Sequence, residues 1–248
     1  MVFYRIHSMA RRDPVLLEGQ YEGASAFLVG ANPRLLELDL RLMNMQGVVT
    51  MAINNAAMIF EPDMFISLDH MPCFNYNILT NPSILKLTEE GNESDVVEGM
   101  KVRSFPNTLF FDTDENITTN TFCSPVGPLV GWKNTFFTAL HCLYQLGFKT
   151  IYLCGCTFNV DKDKPYAYEH DIRDDDADYN ASLYSKALKT LAELAPMMRD
   201  DGVNVYTCHE GSELGASVPY MRFEDAISDV VSTCSSHRPN QIIHCNEG

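Results

Sequence analysis

The sequence predicts an α/β fold, a mostly parallel sheet with helices on both faces, built as one domain. Three observations predict it. Short apolar runs recur along the chain and end in Gly, Asn or Asp, the punctuation of buried strands. Strand, helix, strand, short helix and strand follow one another between Ala26 and Leu68, an alternation typical of parallel sheets. The 248 residues are 46% hydrophobic and 21% charged, an ordinary globular composition that excludes disorder.

Each element has its own justification. Residues 1–22 read as an N-terminal extension or partner-contact arm. Ala26-Phe27-Leu28-Val29, ending in Gly30, is a buried strand feeding a tight turn. Pro33 with Leu35, Leu36, Leu38, Leu40 and Leu42 predicts a heavily packed helix. Val48 to Ile53 is a second strand closed by Asn54-Asn55, and Met64 to Leu68 a third ending at Asp69-His70. Residues 75–90 read as helix and 91–106 as an exposed excursion. Thr108 to Phe111 is a further strand, followed by a polar stretch and a Pro/Gly loop to Gly131. Asn134 is placed to cap a helix from Thr135 to Gln145, with Gly147 as its stop. Thr150 to Leu153 is the most strand-like stretch, ending Cys154-Gly155-Cys156. Residues 160–180 are acidic and long enough for a lid-like loop. Ala181 to Arg199 reads as an amphipathic helix, Val203 to Thr207 as a strand, and Arg222 to Val231 as the last helix. The organisation expected is a Rossmann-like domain over residues 23–232 and a polar tail over 233–248.

Charge removes several function classes. With 33 acidic against 18 basic residues the formal net charge is −15, which repels a polyanion, so nucleic acid is not an expected partner. No apolar run approaches the roughly 20 residues of a membrane span. The start, MVFYRIHSMARRDP, lacks the apolar core of a secretory signal, and a soluble cytoplasmic protein is expected. The eight Cys are scattered and read as reduced, mostly buried thiols. A homo-oligomer is compatible with all of this.

Ligands of open α/β sheets bind outside the C-terminal strand ends. The polar signals there are Gly30-Ala31-Asn32, Asn54-Asn55, Asp69-His70, Cys154-Gly155-Cys156 and Cys208-His209-Glu210. Gly30-Ala31-Asn32 is the natural phosphate seat, because a Gly turn before a helix offers backbone N–H groups to an anion. It lacks the further glycines of the dinucleotide fingerprint and the Gly-Lys-Ser/Thr of a P-loop.

Taken together, four segments resemble a known group of enzymes. FLVGANPRLLELDL is similar to the nucleotide loop that opens bacterial lipooligosaccharide sialyltransferases. Their relatives include flagellin-modifying glycosyltransferases, hydroxymethylpterin pyrophosphokinases and uncharacterised phage proteins. AINNAAMIFEPDMFISLDH, NTFFTALHCLYQLGFKTIYLCGCTF and GVNVYTCHEGSEL match further segments in order, over about residues 25–225. The resemblance implies a site for a nucleotide or nucleotide-sugar. Gly30, Ala31 and Asn32 would line the phosphates, Asn54 the base or ribose, and Asp69 the sugar or nucleotide. Thr135 would stand near a nucleotide-contacting Ser and Gly155 at the strand-end Gly, while Tyr166 and Tyr168 would assist phosphate departure. The register of the family's catalytic His falls near Tyr179, and the nearest His is His170. Ala31, Arg34 and Asp69 depart from the family's Asn, Ser and Asn.

The residues make a modest independent case. His170 lies between Glu169 and Asp171, which would raise its pKa and orient it as a base. His209, at the last strand's end, is a second candidate. Asp112-Thr113-Asp114 is spelled like the Asp-x-Asp that holds Mg²⁺ or Mn²⁺ in metal-dependent glycosyltransferases, although an acidic chain produces such triplets readily. The leading expectation is transfer of a sugar from a CMP- or UDP-linked donor to a glycan, small-molecule or protein acceptor. The alternatives are an ATP-dependent pyrophosphokinase, which needs Asp69, Asp112 and Asp114 to converge, and a non-catalytic nucleotide-binding or virion-associated protein.

Overall fold

The computed structural model describes residues 3–8, 11–124, 127–159, 166–168 and 176–234, with the side chains of 176–182 and 234 excepted. In chain order the strands and helices are β1 (Phe3–Ser8), β2 (Arg11–Val15), β3 (Ser25–Val29), β4 (Thr50–Ile53), β5 (Met64–Ser67), α1 (Tyr76–Thr80) and β6 (Leu85–Glu89). Next come β7 (Val96–Val97), β8 (Met100–Lys101), β9 (Thr108–Phe111), β10 (Thr113–Asp114), α2 (Thr119–Phe122), β11 (Leu129–Val130) and α3 (Thr135–Leu146). The chain closes with β12 (Thr150–Cys154), α4 (Asp176–Asp200), β13 (Asn204–Thr207) and α5 (Phe223–Cys234).

Nine strands form one sheet in the order β13-β12-β3-β4-β5-β6-β9-β1-β2. From β13 to β9 every pairing is parallel, and β1 and β2 add an antiparallel hairpin at one edge. The α/β class, the mostly parallel sheet and the Rossmann-like single domain are therefore as expected. The central strands read as unbroken apolar runs because both faces are covered. Leu28, Met51, Ile66, Leu87 and Leu153 point to one face, against Phe137 and Leu140 of α3 and Leu191 and Leu194 of α4. Phe27, Val29, Phe65, Phe110 and Tyr152 point to the other, against Leu35 and the Phe223, Ile227 and Val230 side of α5. Each fully buried Leu or Phe contributes about 1.5–3 kcal/mol by leaving water. Among the described residues no helix is long and apolar enough to cross a membrane.

The sequence reading needs three corrections. Within the expected extension, Phe3 and Ile6 are buried, and β1 pairs with β9 through Tyr4 and Phe110, so this segment belongs to the sheet. Arg11, Arg12 and Pro14 make β2 a polar edge, guarding it against pairing with another chain. The Leu-rich stretch after Gly30 forms two 3-10 turns, Pro33–Glu37 and Leu40–Asn44, because the Asn32 and Asp39 side chains cap each turn separately. Helix over 75–90 gives way to α1 and then β6. Asn81-Pro82 breaks the helix, and Lys86 disguises a buried strand as an amphipathic pattern.

Lys86 is 1% exposed, and its Nζ donates to the Asn81 carbonyl at 2.7 Å. Burial pulls its pKa down from 10.5 to about 7. The unfolded chain therefore binds more protons than the folded one between those values, and stability rises with pH across the window. The slope is at most about 1.4 kcal/mol per pH unit. Replacing Lys86→Met should raise stability near pH 7 by about 1–3 kcal/mol. That gain should shrink to nothing above pH 10.5, as read from urea unfolding of both proteins across the range.

Candidate functional site

The chain leaves β3 toward β4, β5, β6 and β9, then returns to lay β12 and β13 on the opposite side of β3. The crevice between the C-terminal ends of β3 and β12 is thus the topological switch point, where open α/β sheets bind ligands. Gly30 and Gly155 meet there, backbone against backbone. A Cβ on Gly30 would stand 2.6 Å from the Gly155 carbonyl oxygen, and one on Gly155 would stand 2.3 Å from that of Gly30. Gly155 also has φ +61°, which favours glycine.

Around this contact opens a cleft of about 730 Å³. It brings together Gly30, Ala31, Asn32, Asn54, Asp69, Thr135, Gly155, Tyr166 and Tyr168, all named from the sequence. The Tyr166 and Tyr168 rings stack with centroids 5.3 Å apart. Between them Ala167 donates its backbone N–H to the Ala31 carbonyl at 2.7 Å, which straps this segment to the β3 turn. Asn55 Nδ2 donates to the Tyr168 hydroxyl at 3.3 Å, and Asn54 Nδ2 to Asp69 Oδ2 at 2.9 Å. Burial pushes the Asp69 carboxyl up and the Tyr168 hydroxyl up, so the phenol is a proton-bearing donor at neutral pH. His170 lies outside the described residues. Tyr179 stands on the first turns of α4, its side chain likewise outside them.

The phosphate seat differs from the expected one. The Gly30 N–H donates to the Cys154 carbonyl at 2.8 Å, and the Asn32 N–H to the Gly155 carbonyl at 3.0 Å. These two donors hold the crevice shut instead of facing a ligand, and the next element is a 3-10 turn rather than an α-helix. The wall suited to an anion is the N-terminus of α3, where Lys133, Asn134, Thr135 and Phe136 line the cleft. Asn134 caps this helix by accepting from the Phe136 N–H. Lys133 Nζ rests 2.8 Å from Glu115 Oε1, an exposed and therefore weak pair.

Asp112 and Asp114 do not join the cleft. Asp112 lines a separate groove with Glu89, Glu90 and Glu93, and Asp114 Oδ1 accepts from Asn116 as part of a turn. Among the described residues no group of three or more His, Cys, Asp or Glu side chains is arranged to hold a metal. His209 is a positioning residue rather than a base. Its Nε2 accepts the Gly155 N–H at 2.7 Å, and burial, with Arg34 nearby, pulls its pKa to about 4. The neutral ring therefore fixes the Gly155 turn from behind. The described Cys are free thiols, four of them buried.

Sequence reasoning marked Asn55 only as part of a polar strand end and missed Lys133, Phe136, Phe158 and Tyr184, all of which line the cleft. It also missed the strain concentrated here. Among the described residues six non-Gly residues have positive φ, and four of them, Asn54, Trp132, Lys133 and Phe158, line or adjoin this cleft. Trp132 and Lys133 are the central pair of a turn closed by the Asn134 N–H on the Gly131 carbonyl at 2.6 Å. Two left-handed positions suit Asn-Gly, and Trp-Lys gives no sign of such a turn. Trp132 is held by the Phe137 ring, 5.1 Å away, and by Lys186 Nζ, 3.9 Å from its own centroid. Left-handed backbone costs a bulky residue about 1–2 kcal/mol. The double replacement Trp132→Asn with Lys133→Gly should accordingly stabilise the unliganded protein by about 1–3 kcal/mol, net of lost packing, in urea unfolding.

Comparison with protein families, with curated proteins and with solved structures returns no match to this chain, so its site is read from its own geometry.

Proposed function

We propose that the cleft binds a nucleotide-sugar and that the protein transfers the sugar from a CMP- or UDP-linked donor to a glycan, small-molecule or protein acceptor. The observation that carries this reading is the cleft at the sheet's switch point. It gathers the residues that the sialyltransferase resemblance implies, under a paired-tyrosine strap. Its volume of about 730 Å³ suits a ligand of that size.

The chemistry follows from the walls. The donor's phosphate lies toward Lys133 and the α3 N-terminus, which favour negative charge. An acceptor hydroxyl attacks the anomeric carbon as the bond from that carbon to the phosphate oxygen breaks. The phosphate leaves with the bonding electrons, and the hydroxyl proton passes to a base supplied by the segment carrying His170 and Tyr179. Tyr168, protonated and already hydrogen-bonded to Asn55, donates to the departing oxygen and needs no metal to do so. Gly30 and Gly155 keep the backbones close enough for the two halves of the site to meet.

A ligand that binds only the folded state raises the unfolding midpoint by mass action. CMP or UDP should raise it without Mg²⁺ in a thermal-shift panel that also contains CDP, GDP and ATP. A response confined to ATP with Mg²⁺ would replace this reading with a pyrophosphokinase. Binding of CMP or UDP without turnover of any CMP- or UDP-sugar would leave a nucleotide-binding protein and remove the transferase.

A further inference from the structure

We propose that Trp132 and Lys186 are positioning residues for the ligand's phosphate. The indole and the ammonium, held together, fix the turn that presents Lys133 to the cleft. This rests on the phosphate placement in the reading above, and it assigns a role to two residues outside the cleft's described lining.

Trp132 and Lys133 hold φ +46° and φ +58° in succession. Neither residue type suits a left-handed backbone, so the conformation persists where surrounding contacts over-determine it. Three contacts do so here. Gly131 is pressed so closely on the first turn of α3 that a Cβ there would collide with Thr138. The Asn134 N–H closes the turn on the Gly131 carbonyl at 2.6 Å. Trp132 is then gripped from two helices, by the Phe137 ring of α3 and by Lys186 of α4, whose Nζ stands 3.9 Å from the ring centroid. An ammonium so placed is attracted by the ring quadrupole, and indole is the strongest of the aromatic partners. Lys133 has no comparable hold. Its described partner is Glu115, an exposed carboxylate that solvent and salt weaken. The aim of the Lys133 side chain is therefore set by the backbone beneath it, and that backbone is set in part by the grip on Trp132.

The test is calorimetric titration of the full chain with CMP and UMP, each beside its phosphate-free nucleoside, cytidine or uridine. Lys186 is exposed, so its replacement leaves the fold intact. Lys186→Met should weaken the nucleotide about 2- to 5-fold, the size of one exposed cation–π contact, and leave the nucleoside unchanged. Trp132→Leu should weaken the nucleotide at least as much, whereas Trp132→Tyr keeps a ring for the ammonium and should retain most of the affinity. Lys189→Met removes the same charge from the same helix without the ring contact and should change neither ligand. On a Lys133→Met background the effect of Lys186→Met should vanish, because Lys186 acts through that side chain. Persistence of the effect there assigns Lys186 to the general field of the protein and overturns the inference. An equal loss of the nucleoside, or unchanged nucleotide affinity in Lys186→Met, overturns it as well. Equal binding of nucleotide and nucleoside by the unmodified protein overturns the phosphate placement together with this inference. Binding of neither overturns the nucleotide reading itself and this inference with it.

Discussion

The Gly30–Gly155 contact is the constraint on which the rest of the site depends. Two parallel strands that diverge in connectivity must still approach within hydrogen-bonding distance at their ends. Carbonyl oxygens 2.3 and 2.6 Å from where Cβ atoms would lie leave no room for any side chain. The contact is then locked by backbone bonds from Gly30 and Asn32 and, from behind, by the neutral His209 ring on the Gly155 N–H. The hydrogen bonds that make the crevice rigid are the ones a phosphate would otherwise have used. Under the proposed reading, an anion would therefore meet the start of α3 instead of this floor.

How far the sequence foretold this depends on the kind of signal. Unbroken apolar runs made the central strands legible, and Asn134 with Gly147 bounded α3 almost to the residue. Period and punctuation failed where one residue altered the pattern. Lys86 hid β6, and the separate caps at Asn32 and Asp39 turned an expected helix into two 3-10 turns. The site was legible where strand ends carry polar residues, since strand order alone brings Gly30, Asn54, Asp69 and Gly155 to one edge of the sheet. Lys133 and Phe158 were not legible, because they reach the cleft through loops whose left-handed backbone leaves no mark in residue type, and Tyr184 reaches it from within helix α4. Asp112 and Asp114 taught the converse, since a motif spelled correctly faces its own turn and a separate acidic groove.

Stability and function occupy different parts of the molecule. Both faces of the sheet are sealed by continuous apolar clusters in which Phe27 and Leu28, or Tyr152 and Leu153, alternate between α5 and the α3–α4 layer. Among the described residues, four of the six non-Gly positive-φ residues and two of the three unpartnered buried oxygens gather instead at or beside the cleft, at Asn54, Asn55, Trp132, Lys133 and Phe158. A well-packed core can carry several unfavourable local conformations at its rim and still fold cooperatively, and functional sites are where such conformations collect.

The overall charge gives this arrangement its final logic. At −15 the protein's field does not draw anions toward the cleft, so an anionic ligand gains nothing from long-range steering. Recognition has to be local. Among the cleft's described side chains the charged or titratable groups, apart from tyrosine and cysteine, are Asp69, His70 and Lys133. Lys133 is paired with Glu115 across an exposed gap of 2.8 Å, a contact that solvent and salt weaken. A phosphate bound there as proposed would compete with one exposed carboxylate for that ammonium, while the aligned dipoles of α3 would add attraction that Glu115 does not cancel. Under the proposed nucleotide reading, a donor phosphate would thus be held by the start of α3 and Lys133 acting locally, and not by the field of the whole protein.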